Sequence, residues 1–177
     1  VLFYNLRYYL SSPLEIFALW HGGLSFHGGV VGVLIALYIF SKKYKIKILK
    51  LMDIISVPLA LSLALGRIGN FINGELYGRI TTLPWAVKFQ AAEGFRHPSQ
   101  IYESIKNLII FTVLYSIRNK KLKDGFMSGI FFMMYGIFRF FIEFVREPEI
   151  YVGPLTMGQL LNIPVFLFGL YLISRKS

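Results

Sequence analysis

Three stretches of the chain put groups with binding or proton-transfer chemistry at helical spacing. In "LGRIGNFINGELYG", Leu65 to Gly78, the polar residues Arg67, Asn70, Asn73 and Glu75 stand among glycines. Asn70 follows Arg67 by three residues and shares its helix face. In "YGIFRFFIEFVREP", Tyr135, Arg139 and Glu143 fall at i, i+4 and i+8, with Arg146 three further on, so one stripe carries phenol, guanidinium, carboxylate and guanidinium. A planar guanidinium matches phosphate through paired hydrogen bonds and stays charged at any working pH. Two of them could hold one anion. "HGGLSFHGG" adds His27, and an imidazole is a base near neutral pH. His21 and His97 carry no such pattern and read as structural. The chain has no cysteine, and its carboxylates are scattered, with Glu75 and Glu143 beside arginines. Neither a metal nor another cofactor is expected.

The elements that would position these groups follow from composition. The 177 residues are 55% hydrophobic and 17% aromatic, with mean hydropathy +0.59. That is more apolar surface than a soluble domain of this length buries. The expected fold is all-α, a polytopic transmembrane helical bundle forming one integral-membrane domain over 1–177. A span takes about 20 apolar residues at 1.5 Å rise each. Five stretches qualify, from about Ser25 to Phe40, Leu51 to Asn73, Ile101 to Ile117, Phe126 to Val145 and Met157 to Ile173. The first is short and must tilt or borrow residues upstream. "SKKYKIKILK", "RNKKLKD" and "SRKS" hold 11 of the 19 basic residues and alternate onto one side, which is then the cytoplasm, C-terminus included. The net charge of +10 is thus explained without nucleic acid. The opening "VLFYNLRYYL" lacks the marks of a signal peptide and reads as the tail of an earlier span.

Depth then groups the polar residues. Arg67 lies 16 residues past Leu51, about 24 Å along a helix, and Arg139 lies about 20 Å above Phe126. With His27 opening the first span, these groups share one level near the outer face and could surround a cavity there. An arginine at the centre of a span costs about 2.5 to 17 kcal/mol by different measures, so it faces protein, water or a partner. A structural account pairs Arg139 with Glu143, pairs Arg67 with Glu75 or lets it snorkel, and gives the asparagines to neighbouring helices. Gly66, Gly69 and Gly74 would be packing surfaces, and Ser99 would cap the third helix with Glu103 near its first turn. The functional account assigns the arginines to an anionic phospholipid head group.

Taken in order, "HGGLSFHGG", "GRIGNFINGELYGR", "RHPSQIYE" and "YGIFRFFIEFVREP" resemble the signatures of the phosphatidylglycerol–prolipoprotein diacylglyceryl transferases, bacterial enzymes of the cytoplasmic (inner) membrane. The likeness runs through nearly the whole chain. It implies that the diacylglyceryl group of phosphatidylglycerol passes to the lipobox cysteine thiol of a preprolipoprotein signal peptide, forming a thioether and releasing glycerol phosphate. By motif, His27 matches the family's essential histidine, Arg67 and Asn70 its glycine-flanked signature, and Tyr135 and Arg139 its functional tyrosine and arginine. Asn73, Glu75, Glu143 and Arg146 fall within matching motifs. On that basis Arg67 and Arg139 would bind phosphate, Glu143 and Asn70 would hold those arginines, and His27 would be the base. Members of the family carry further N-terminal spans, so this chain is expected to lack them. The outer connection from Ile80 to Phe95 is shorter than in some relatives, and His21 stands where others have an acid.

Two other classes compete. A non-enzymatic transporter or channel for anionic lipid would need polar groups through the whole membrane depth. "LMDIISVPLALSLAL" and "FMSGIFFMM" are instead largely apolar, which favours a cavity open to the outer leaflet only. A serine protease using Ser25 or Ser128 has no flanking nucleophile motif.

Overall fold

A computed structural model describes residues 26–147 and 151–175; the side chains of Phe26 and His27 lie outside the described residues. The chain divides into two compact units, Val1–Ile48 and Leu49–Ser177. In the first, helix α1 (Phe26–Tyr44) exposes Val31, Leu34, Ile35, Tyr38 and Ile39. A helix apolar all round suits a lipid solvent. Lys42 and Lys43 lie in its last turn, where cations favour the helix dipole, and Lys45 at φ 55° ends it. Ser41 Oγ donates to the Ile46 carbonyl at 2.7 Å and covers one loose acceptor.

The second unit contains α2 (Ile48–Ile72) from Leu49 onward, α3 (Ser99–Ile117), α4 (Phe126–Ile142) and α5 (Met157–Ser174), with a hairpin of β1 (Tyr151–Val152) and β2 (Leu155–Thr156) before α5. Tyr151 pairs with Thr156 across that hairpin. By length and composition α2 and α5, of 25 and 18 residues, can cross a membrane; α4 is apolar but has 17 residues. At 1.5 Å per residue α2 is about 37 Å long. The fourth expected span ends three residues early, because Glu143 to Val145 form a turn after Ile142.

Ala60 of α2, Ile110 and Leu114 of α3, and Met127 and Phe131 of α4 form the buried core. Ala60 and Ala64 are fully buried, and their small side chains let α3 approach until Ser104 Oγ donates to the Ala64 carbonyl at 3.0 Å. Helices α4 and α5 meet through glycines: a Cβ on Gly136 would lie 2.9 Å from Phe166 Cβ, and one on Gly129 would lie 2.8 Å from Ile173 Cγ1. The expected packing glycines of α2 do something else. Gly66 and Gly69 meet nothing within 4 Å among the described residues, while Gly74 takes φ +69°, a turn conformation that side chains resist.

Helix ends are closed by side chains brought from elsewhere. Asp53 Oδ2 accepts from Gly125 N at 2.7 Å, and Oδ1 accepts from Ser128 N at 2.8 Å and Ser128 Oγ at 2.7 Å, so a residue of α2 caps α4. Lys123 Nζ donates to the Ile173 carbonyl at 2.5 Å and to the Arg175 carbonyl at the end of α5. Thr156 and Gln159 form a reciprocal capping box at its start. Ser99, the expected cap of α3, does not cap it: its hydroxyl donates to the Leu76 carbonyl at 2.9 Å, because the connection folds back over the helix start.

Candidate active site

The Glu75 to Gln100 connection fastens the far ends of α2 and α4. Single bridges link Gly78 with Arg146, Ile80 with Arg96, and Val87 with Arg96. At Gly78 a Cβ would lie 2.7 Å from His97 Cβ, so only glycine admits this approach. Arg96 is buried; its Nε donates to the Glu93 carbonyl at 3.0 Å, and its Nη1 donates to Gly78 O at 3.3 Å and Glu147 Oε2 at 2.6 Å. Arg79 Nε donates to the Arg146 carbonyl at 2.7 Å and its Nη2 to Tyr151 Oη at 3.0 Å. These two arginines are taken up by carbonyls, by Glu147 and by Tyr151. His97 has the structural place expected of it, with Nδ1 3.3 Å from Tyr102 Oη, which also accepts from Trp85 Nε1 at 2.7 Å. Burial lowers its pKa below the usual imidazole value and favours the neutral ring.

Inside this fastening, three helices contribute to one ionic network centred on Glu103 of α3, which is 0% exposed. Lys106 Nζ donates to Glu103 Oε2 at 2.6 Å, one turn along the same helix. Arg139 Nε of α4 stands 3.2 Å from Glu103 Oε1, and Arg67 Nε of α2 stands 4.0 Å from Oε2. Arg139 Nη1 also donates to Glu143 Oε2, and Arg146 Nε lies 3.9 Å from that oxygen. The other oxygen, Glu143 Oε1, accepts from Thr156 Oγ1 at 3.1 Å. A Cβ on Gly158 would overlap the Glu143 carboxyl, so the carboxylate lies against the first turn of α5, where the helix dipole favours an anion. Tyr135 closes the network, its ring centroid 3.9 Å from Lys106 Nζ.

Four cations, Arg67, Lys106, Arg139 and Arg146, thus share two carboxylates, leaving a formal excess of +2. Arg67 is the most accessible member, its side chain 22% exposed against 13% for Arg139. Among the described residues its guanidinium makes no hydrogen bond. An excess of buried positive charge is costly unless an anion completes it. An apolar crevice of about 150 Å³ runs between α4 and α5, lined by Gly136, Ile137, Phe140 and Phe166.

The structure brings together Arg67, Tyr135, Arg139, Glu143 and Arg146, as their spacing suggested. It corrects their partners. Arg67 faces Glu103 rather than Glu75. Asn70 does not hold an arginine; its Nδ2 donates to Glu75 Oε2 at 3.1 Å across the exposed turn that ends α2. The Glu75 carbonyl accepts from Gln100 Nε2 at 2.5 Å, and Asn73 is exposed in the same turn. His27 has its backbone in α1, but its side chain lies outside the described residues, as does all of His21. Glu103 and Lys106 escaped the sequence-based assignment of the site. Their signal is an i, i+3 acid–base pair inside the apolar run "IYESIKNLII" of the third expected span, where Glu103 by itself fits the first turn of a helix.

The chain is similar to known proteins over nearly all of its length. A family model described as prolipoprotein diacylglyceryl transferase matches residues 1–175. The phosphatidylglycerol–prolipoprotein diacylglyceryl transferase of Geobacter sulfurreducens is 46% identical over 186 residues, covering 100% of this chain and 72% of the relative. Its counterpart in Rickettsia rickettsii is 48% identical with the same coverage, and that of Bordetella parapertussis is 46% identical over 99% of this chain and 71% of its own length. The chain therefore belongs to the prolipoprotein diacylglyceryl transferase family.

Proposed function

We propose that this chain transfers the diacylglyceryl group of phosphatidylglycerol to the lipobox cysteine thiol of preprolipoproteins, the first step of bacterial lipoprotein maturation. The observation that carries the reading is the +2 excess on the network joining α2, α3 and α4, in a chain whose relatives are named for that transfer. A transporter or channel is not favoured, since those relatives are named transferases.

The chemistry follows from charge. The thiol sulfur attacks the diacylglyceryl carbon, a carbon–sulfur bond forms, and the carbon–oxygen bond to glycerol phosphate breaks. The donor phosphodiester carries one negative charge, and the departing phosphate monoester gains a second as that bond breaks. Arg67 and Arg139 bind the phosphate and stabilise the growing charge, the preorganised arrangement that lowers a barrier. Glu143, with Glu103, holds Arg139 and leaves Arg67 without a hydrogen bond among the described residues; Arg146 adds positive field, and Tyr135 lines the same site. Asn70, Asn73 and Glu75 shape the turn at its rim. A thiol with a pKa near 8.5 is only a few per cent thiolate at neutral pH, and His27 takes its proton.

The chain works as one integral-membrane catalytic domain of about five spans in the bacterial cytoplasmic membrane. The basic loops and C-terminus are cytoplasmic, and the cavity opens toward the outer leaflet. Cysteines at Lys45 and Lys121 should resist an impermeant thiol reagent in intact cells while one at Glu93 reacts; labelling at Lys45 would reverse the orientation. For the base, His27→Gln should lower turnover roughly 100- to 10,000-fold with lipid binding retained, and raised pH should partly restore it. Loss of lipid binding with no response to pH would make His27 a head-group contact.

A further inference from the structure

Lys106 has no part in that chemistry, yet it lies within the network. It is 2% exposed, so its ammonium is closed off from any approaching lipid. Burying an ammonium is costly, and two contacts offset the cost here: Glu103 Oε2 at 2.6 Å and the face of Tyr135, 3.9 Å from its centroid. The carboxylate oxygen that Lys106 occupies is the one nearest Arg67, whose Nε stays at 4.0 Å. That separation is longer than a hydrogen bond. Glu103 thus has two arginines within reach and gives its shortest bond to a lysine.

We infer that Lys106 is a positioning residue that occupies Glu103 Oε2 and so leaves the Arg67 guanidinium available to the phosphate of the lipid. This rests on the reading of Arg67 and Arg139 as phosphate ligands. Without the ammonium, Glu103 would form a charge-assisted hydrogen bond with Arg67, and a phosphate would have to compete for it. Tyr135 serves the same end by holding the ammonium on its ring face, which keeps Nζ beside Oε2. Arg139 is affected less, because Glu143 also binds it.

Binding of dioctanoyl phosphatidylglycerol to the full chain in neutral detergent, measured by titration calorimetry, tests this. Lys106→Met keeps the apolar stem and leaves Glu103 facing two arginines, so no buried charge is stranded. It should weaken binding roughly 10-fold, the scale of one competing charge-assisted hydrogen bond. Adding Glu103→Gln should recover most of the loss, since the competing carboxylate is then gone. Adding Glu147→Gln instead restores the same net charge at an ion pair with Arg96, away from Glu103, and should recover little. Unchanged binding in Lys106→Met, no recovery with Glu103→Gln, or equal recovery with Glu147→Gln would each overturn the inference. Thermal melts of each variant separate these outcomes from unfolding, and Lys106→Arg, which retains the cation, should bind like the parent if it melts normally. A parent protein that fails to bind the lipid would overturn the substrate reading and this inference with it.

Discussion

The two ends of the four-helix unit use charge in opposite ways. Near the starts of α2 and α4, Asp53 spends both oxygens on the Gly125 and Ser128 donors, and Lys123 bonds carbonyls at the end of α5. Each charge there completes a helix end, which would otherwise have unpaired backbone groups. At the other end, Arg79 and Arg96 are likewise taken up, by backbone carbonyls and, for Arg96, by the Glu147 carboxylate as well. Arg67, Lys106, Arg139 and Arg146 are not. They outnumber their carboxylates, and the excess lies where the backbone has no use for it. Charge that serves the fold is used up by neighbouring groups; the surplus at the network is the charge we propose is kept for a ligand.

Substitutions at the two ends should therefore fail differently. The largest effect is expected at Arg139→Lys, which keeps a cation but loses the planar fork across Glu103 and Glu143. Steady-state transfer kinetics should show kcat/KM lower by roughly 100- to 1,000-fold, the scale of a lost transition-state donor, with little change in melting temperature. Near-parental activity would mean that a point charge suffices. Asp53→Ala should do the reverse, costing about 1 to 3 kcal/mol of stability through unpaired donors while each folded molecule keeps its activity. Chemical or thermal unfolding in detergent, normalised against activity, reads both. Ser128→Ala, which removes one of the three bonds to Asp53, should cost about 1 kcal/mol and leave transfer untouched. A large activity loss in either of these two would show that the ends are coupled and break the contrast.

Much of this was legible in the sequence, for a physical reason. Tyr135, Arg139 and Glu143 recur every four residues, and helical geometry then requires them to share a face, so the stripe could be read before any tertiary contact was known. The length of the apolar runs located α2, α3, α4 and α5 to within three residues at each end. Partners across helices were not legible. Arg67 could reach any acid at its depth, and the one it faces, Glu103, is 36 residues along the chain in another helix. Ser99 looked like a cap because local pattern cannot show that Leu76 folds back over it. Gly66 and Gly129 are alike in sequence, yet only Gly129 meets a neighbouring helix among the described residues.

The central claim is that the cationic surplus binds the phosphate of the donor lipid during transfer. Its most direct test follows labelled diacylglyceryl from phosphatidylglycerol to a lipobox peptide, comparing the parent chain, Arg139→Lys and Asp53→Ala at equal amounts of folded protein. The account predicts label on the peptide cysteine with the parent and with Asp53→Ala, glycerol phosphate released in equal amount, and almost none of either with Arg139→Lys. Equal transfer by the parent and Arg139→Lys, or none by the parent while it still binds the lipid, would contradict it.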